Sequence, residues 1–123
     1  MKSAADIGKW GESVVCEHLR ADGWLIAERN WRVGRYEIDL IAVKNGCLRF
    51  VEVKTRLADG WTSPEYAITP DKCRALKRAA AAYRAMSRRY ANFDFRFDLA
   101  AVEYRRDGSY ELRYVQGFLE SHW

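Results

Sequence analysis

Apolar residues recur at helical spacing through residues 4–22, at Ile7, Val14, Val15 and Leu19, and Gly23 supplies a stop. Gly8 and Gly11 fall on or near the buried face of this helix. Glycine within a helix costs about 1 kcal/mol against alanine, so close backbone packing is the expected reason for both. Residues 24–30 and 35–43 are predicted as strands. Lys44-Asn45-Gly46-Cys47 separates the second of these from a further alternating run over residues 47–54. Asn-Gly between two such runs predicts a two-residue hairpin, because a primed turn needs positive φ at both central residues. A loop over residues 57–68 leads to Thr69-Pro70-Asp71, which reads as helix cap, proline in the first turn and an acid on the helix dipole. The helix continues to about Arg89, with an apolar stripe of Leu76, Ala80, Tyr83, Met86 and Tyr90. Strands over residues 94–104 and 110–118 meet at Asp107-Gly108. The order α-β-β-β-α-β-β predicts one mixed α/β domain over residues 1–123, with an antiparallel hairpin at its centre.

Composition narrows the function classes only a little. The net charge is +4, from 21 basic and 17 acidic residues. Most of the basic residues are arginine, whose fork matches phosphate geometry, although a solvated charged surface gives the same composition. Cys16, Cys47 and Cys73 are an odd number without a CxxC spacing, which excludes a disulfide framework or zinc site as the expected reading and fits a reducing interior. No apolar run approaches the roughly 20 residues that a membrane span requires. The N-terminus lacks the apolar centre of a signal peptide, so a cytoplasmic location is expected.

The hairpin turn fixes a register, and the register gathers charge. With Lys44 opposite Cys47, Val43 meets Leu48 and Ile41 meets Phe50. Continued outward, the same face pairs Asp39 with Glu52 and Glu37 with Lys54. Like charges across a ladder destabilise a sheet, and here they adjoin apolar pairs that partly exclude water. A divalent cation between the carboxylates would turn repulsion into attraction, and hard oxygen donors suit Mg2+ or Mn2+. Lys54 would then orient a water or neutralise charge on a phosphate. The bland alternative places both acids in solvent at a sheet end, with Glu37 and Lys54 as an ordinary ion pair.

The segments Glu37-Ile38-Asp39-Leu40-Ile41 and Phe50-Val51-Glu52-Val53-Lys54-Thr55-Arg56 resemble the PD-(D/E)XK nuclease superfamily. More closely, the chain resembles the YraN-like family of uncharacterised bacterial proteins, relatives of archaeal Holliday junction resolvases. The resemblance also takes in Gly8-x-x-Gly11-Glu12, Asn30-Trp31-Arg32, Lys72 and Arg96-Phe97-Asp98, and so spans nearly the whole chain. It implies a restriction-endonuclease-like fold, metal binding by Asp39 and Glu52, water activation assisted by Lys54, and Glu12 completing the site. It further implies DNA as partner, with branched or distorted DNA as the expected substrate and a homodimer by analogy with resolvases. The chain departs from the family at Tyr36, where glycine is usual.

Other residues carry two readings each. Glu12 borders the apolar stripe of its helix, where a glutamate is ordinarily just solvated. Lys72 alone among the basic residues of its helix lies within the apolar stripe, able to reach the acids or a phosphate, or to snorkel out. Arg74, Lys77, Arg78, Arg84, Arg88 and Arg89 fall on the opposite side, as a phosphate-tracking stripe or a solubilising face. Arg32, Arg35 and Arg56 lie near the charged end of the hairpin and are favoured as DNA-backbone contacts. Trp61 could stack on an unpaired base or cover the core. His18 is expected to pack beside Leu19 and Val15, and neither it nor His122 has partners for zinc or base chemistry. A binding module without turnover, or a protein-interaction adaptor using the aromatic loop and Trp123, are the alternatives to a nuclease.

Overall fold

A computed structural model of the chain describes residues 3–58 and 68–119. The first helix, α1 (Ala4–Ala21), starts at a reciprocal cap. Ser3 Oγ accepts from the Asp6 N–H at 3.2 Å, and Asp6 accepts in turn from the Ser3 N–H. It ends against Gly23, which takes φ +89°. Strands β1 (Leu25–Val33), β2 (Tyr36–Lys44) and β3 (Cys47–Leu57) follow as an antiparallel meander. Asn45 and Gly46 both have positive φ, at 48° and 75°, which is the primed turn that their sequence dictates. Helix α2 (Pro70–Met86) begins at Thr69, whose hydroxyl accepts from the Lys72 N–H at 3.1 Å.

Helix α2 carries the chain across the sheet, so β4 (Asp94–Tyr104) lies parallel to β3, and β5 (Tyr110–Val115) turns back antiparallel. The sheet order is β1-β2-β3-β4-β5. One face packs on α1 through Val15, Leu19, Leu40, Val51 and Val102. The other packs on α2 through Ile41, Phe50, Ala80 and Tyr83, continuing to Leu76, Leu99 and Phe118. This is the α-β-β-β-α-β-β order expected from the sequence, with a restriction-endonuclease-like topology.

Several local expectations give way to packing. Helix α2 stops at Met86, and Arg88–Tyr90 forms a short 3-10 turn that returns Tyr90 to the core while leaving Met86 exposed. Arg84 does not stand on an outer face: its guanidinium lies 4.0 Å above the Phe95 ring. His18 is exposed beside Tyr114 rather than packed on Val15. Strand β5 ends at Val115, where Gln116 and Gly117 (φ +62°) turn the chain inward. Trp61, His122 and Trp123 lie outside the described residues.

The two helical glycines have different causes. Gly11 is buried, and a Cβ there would collide with Thr55 Oγ1 while lying 3.0 Å from Thr55 Cβ. Gly8 has no described atom within 4 Å of such a position. Gly11→Ala is therefore expected to destabilise the protein by about 1–3 kcal/mol, partly recovered by adding Thr55→Ala. Gly8→Ala should instead stabilise it by up to about 1 kcal/mol. Chemical denaturation of the variants checks both signs.

Candidate functional site

The hairpin pairs as its turn requires, but only as far as Leu40 opposite Val51. Beyond that point the backbone ladder gives way to a side chain. Val53 donates its N–H to Asp39 Oδ2 at 2.8 Å. Asp39 is thus built into the join between the strands, and Asp39 and Glu52 meet there as interacting carboxyls rather than as a regular ladder pair. Glu37 does not pair with Lys54. It lies opposite Arg32 on β1, with Arg32 Nη2 3.5 Å from its carboxylate.

Glu52 is 3% exposed, in the strand that lies between Asp39 and β4. Burial pushes its carboxyl up from 4.5 to about 8, and a hydrogen bond with Asp39 and the charge of Asp39 push the same way. Lys72 reaches it from the first turn of α2, with Nζ 3.3 Å from Oε2. Lys72 and Lys54 both favour the ionised form, but desolvation and Asp39 outweigh them. The Lys72 side chain is 40% exposed, so its ammonium stays partly screened by water. Lysine in the apolar stripe is therefore explained: its stem lies on the core and its charge meets the buried acid.

Glu12 approaches from the other helix. Asn30 Nδ2 donates to Glu12 Oε1 at 3.1 Å. Burial raises the Glu12 carboxyl first, opposed by that hydrogen bond, and the charge of Asp39 adds to the rise. Asn30 holds φ +51°, a left-handed conformation that asparagine tolerates better than other side-chain-bearing residues. The periodic pattern of β1, with Glu28, Arg29, Asn30 and Arg32 among its nine residues, does not mark this role. Glu12, Asp39 and Lys54 line one cleft of about 260 Å³, together with Gly8, Thr55 and Tyr104. Among the described residues no three His, Cys, Asp or Glu side chains gather as a ready-made metal cage. Asp39 and Glu52 are two acids that meet directly, through a side-chain hydrogen bond.

The basic residues divide. Arg56 is exposed near the end of β3. The Arg35 guanidinium lies 5.5 Å from the Tyr36 ring centre. Arg78 donates to the Tyr36 hydroxyl at 3.3 Å, and Arg74 pairs with Asp71 in its own helix. Tyr36 itself is half-buried on the α2 side of the sheet, so the residue that replaces the family's usual glycine is held by packing and by Arg78.

Asp98 has a structural use that sequence reasoning did not assign. Fully buried, it accepts from Arg49 Nη1 at 2.8 Å, the Tyr114 hydroxyl at 2.6 Å and the Gly117 N–H at 3.0 Å. Burial, with the Asp98 charge beside it, pushes the Tyr114 phenol up. A buried carboxylate with this many donors is compensated, and it ties β3, β4 and β5 together on the α1 side.

The sheet order, the helices on its two faces and the opened hairpin define an α/β domain with a restriction-endonuclease-like core. The chain belongs to the uncharacterised protein family UPF0102, whose model matches residues 11–102. It is 36% identical over 110 residues to a UPF0102 protein of Syntrophomonas wolfei, covering 89% of this chain and 94% of that one. A UPF0102 protein of Synechococcus sp. is 40% identical, over 96% of this chain and 94% of its own. A UPF0102 protein of Oleidesulfovibrio alaskensis is 44% identical over 95 residues, but the match spans only 46% of that longer relative.

In chelator, the acid pair should give a distinctive pH dependence. Unfolded, Glu52 ionises near its ordinary 4.5, and folded it holds its proton up to about 8. Between those values the folded state binds more protons, so its stability falls as pH rises, at up to about 1.4 kcal/mol per pH unit. Glu52→Gln is expected to flatten that decline relative to the wild type in denaturation series from pH 5 to 8.5. Asp39→Ala should cost about 1–3 kcal/mol by orphaning the Val53 N–H, whereas Asp39→Asn keeps an acceptor and should cost less.

Proposed function

We propose that this chain is a Mg2+- or Mn2+-dependent nuclease that hydrolyses phosphodiester bonds in DNA, acting on branched or otherwise distorted strands. The observation that carries this reading is the buried Glu52 carboxyl, brought against Asp39 where the hairpin opens. Two adjacent carboxyls whose burial and mutual charge oppose ionisation are a fitting donor set for magnesium, which takes one or two carboxylates and fills its shell from water and phosphate. Asp39 and Glu52 would hold the ion. A bound divalent ion supplies Lewis-acid polarisation of the phosphate and a lower pKa for the attacking water.

The chain's own residues do the rest. Lys54, two residues along β3 from Glu52, orients the water and offsets charge that develops on the phosphate. Glu12, fixed by Asn30, adds an outer or second-ion ligand. Arg32, Arg35 and Arg56 position the DNA backbone, and Lys72, Arg74 and Arg78 extend that contact along α2. A homodimer would present two such sites to a two-fold symmetric junction. The free thiols of Cys16, Cys47 and Cys73 accord with a reducing cytoplasm, and no helix among the described residues is long and apolar enough to cross a membrane. DNA binding without turnover is the second reading. It is favoured by the Lys72 ammonium, which already lies 3.3 Å from Glu52 and balances part of the site's charge.

Incubation with branched, single-stranded and duplex DNA in Mg2+ or Mn2+ tests the proposal. Cleavage is expected, with Asp39→Asn and Glu52→Gln each lowering it by about a hundredfold or more. Metal-dependent binding with no cleavage of any substrate would leave the second reading. In the same assays, Arg35→Gln with Arg56→Gln should reduce the slope of log affinity against log salt by about 0.9 for each phosphate that is no longer neutralised.

A further inference from the structure

The cleft beside the acids has a second end that hydrolysis does not use. Glu12, Asp39 and Lys54 line one part; toward the N-terminus of α1 the lining continues through Gly8, Ile7 and Ala4, and toward the end of β4 it includes Tyr104, which pairs with Leu57 three residues beyond Lys54. Tyr104 is braced rather than loose. The Trp10 ring meets it at a centroid distance of 6.2 Å, nearly perpendicular, and meets Tyr110 at 5.2 Å in the same T-shaped manner. Trp10 is half-buried, and through it Tyr104 forms an aromatic wall of the cleft.

Gly8 is the unexplained part of that wall. It interrupts a helix that alanine would strengthen, and unlike Gly11 it makes no close approach, since no described atom lies within 4 Å of its missing Cβ. Among the described residues, helix packing gives no reason for it. What its bareness does provide is room, within the same 260 Å³ cleft that Tyr104, Glu12 and Asp39 line.

We propose that this end of the cleft is a nucleotide subsite, in which one unpaired base of a DNA strand stacks on Tyr104 over Gly8 while its phosphate lies toward Asp39 and Lys54. A concave cleft of this size admits a single planar group and excludes a stacked duplex, whose bases offer no free face. Aromatic rings bind bases by that face whatever the sequence. The subsite thus selects DNA with an unpaired or extruded nucleotide next to the reacting phosphate. It deepens the nuclease reading and rests on it for the placement of that phosphate.

The test measures binding in chelator and cleavage in Mn2+ for three DNAs: a blunt duplex, the same duplex with one extrahelical nucleotide, and a single strand. The wild type is expected to bind and cut the two substrates with unpaired bases at least about tenfold better than the duplex. Gly8→Leu fills the space and improves helix propensity, so its thermal midpoint should equal or exceed the wild type's while this preference disappears. Tyr104→Leu should lose it as well, and Tyr104→Phe should keep it, because stacking needs the ring and not the hydroxyl. Cleavage that treats all three DNAs alike, or a preference that survives Gly8→Leu, overturns the subsite and leaves the nuclease reading standing. Selective binding lost in Gly8→Leu, with no cleavage of any DNA, supports the subsite and overturns turnover. Failure to bind any of the DNAs overturns both.

Discussion

The hydrogen bond from the Val53 N–H to Asp39 Oδ2 decides how this sheet ends. A hairpin with a two-residue turn would ordinarily continue its ladder outward, one carbonyl for each N–H. Here a carboxylate replaces the carbonyl, and the strand join closes on a charge. The Val53 N–H is half-buried and off the ladder, so it loses its protein partner if Asp39 swings away. The acid that would bind a cation is therefore fixed by main-chain satisfaction and needs no ligand to hold it. Glu52, one residue before Val53, inherits the consequence: it is buried beside an acid that cannot leave.

Charge around this pair is graded by solvent. Glu52 sits in the core, Lys72 covers it from α2 with its head in water, and Glu12 stands on the α1 side, held by Asn30. Desolvation falls most heavily on Glu52 and, with the charge of Asp39, opposes its ionisation. The contrast with Asp98 is instructive. That carboxylate is just as buried, yet Arg49, Tyr114 and Gly117 all donate to it. One buried acid is saturated with donors and serves architecture. The other has a partly exposed lysine on one side and an acid on the other.

Much of this was legible in the chain. Asn45-Gly46 gave the turn and the inner register, and apolar periodicity gave both helices and the order of strands. Lys72 could be singled out because a lysine within an apolar stripe needs an acid or an outlet. What failed depended on contacts between distant segments. Nothing local marks Met86 as the last helical residue, because the return of Tyr90 to the core ends α2. The register was extrapolated through Asp39 as though a side chain could not take a backbone position, so the Glu37–Lys54 pair was expected where Glu37 in fact meets Arg32. Arg84 read as an outer-face residue because the Phe95 ring beneath it arrives from β4. Resemblance supplied Glu12, and the sequence alone did not reveal that Asn30 would restrain it.

The parallel pairing of β3 with β4 has a bearing on how the chain assembles. β2 and β3 meet across two residues and can zip within microseconds, whereas β4 reaches β3 only after the long crossover through α2 has closed, with its larger entropic cost. Asp39 and Glu52 consequently come together early, and Lys72 docks late. In the interval the nascent hairpin presents β3 as an unmatched strand edge that carries Arg49, Glu52, Lys54 and Arg56. Exposed edges invite pairing with other chains, and charged side chains along an edge discourage it. The charges of β3 thereby act as gatekeepers against aggregation before the domain is complete.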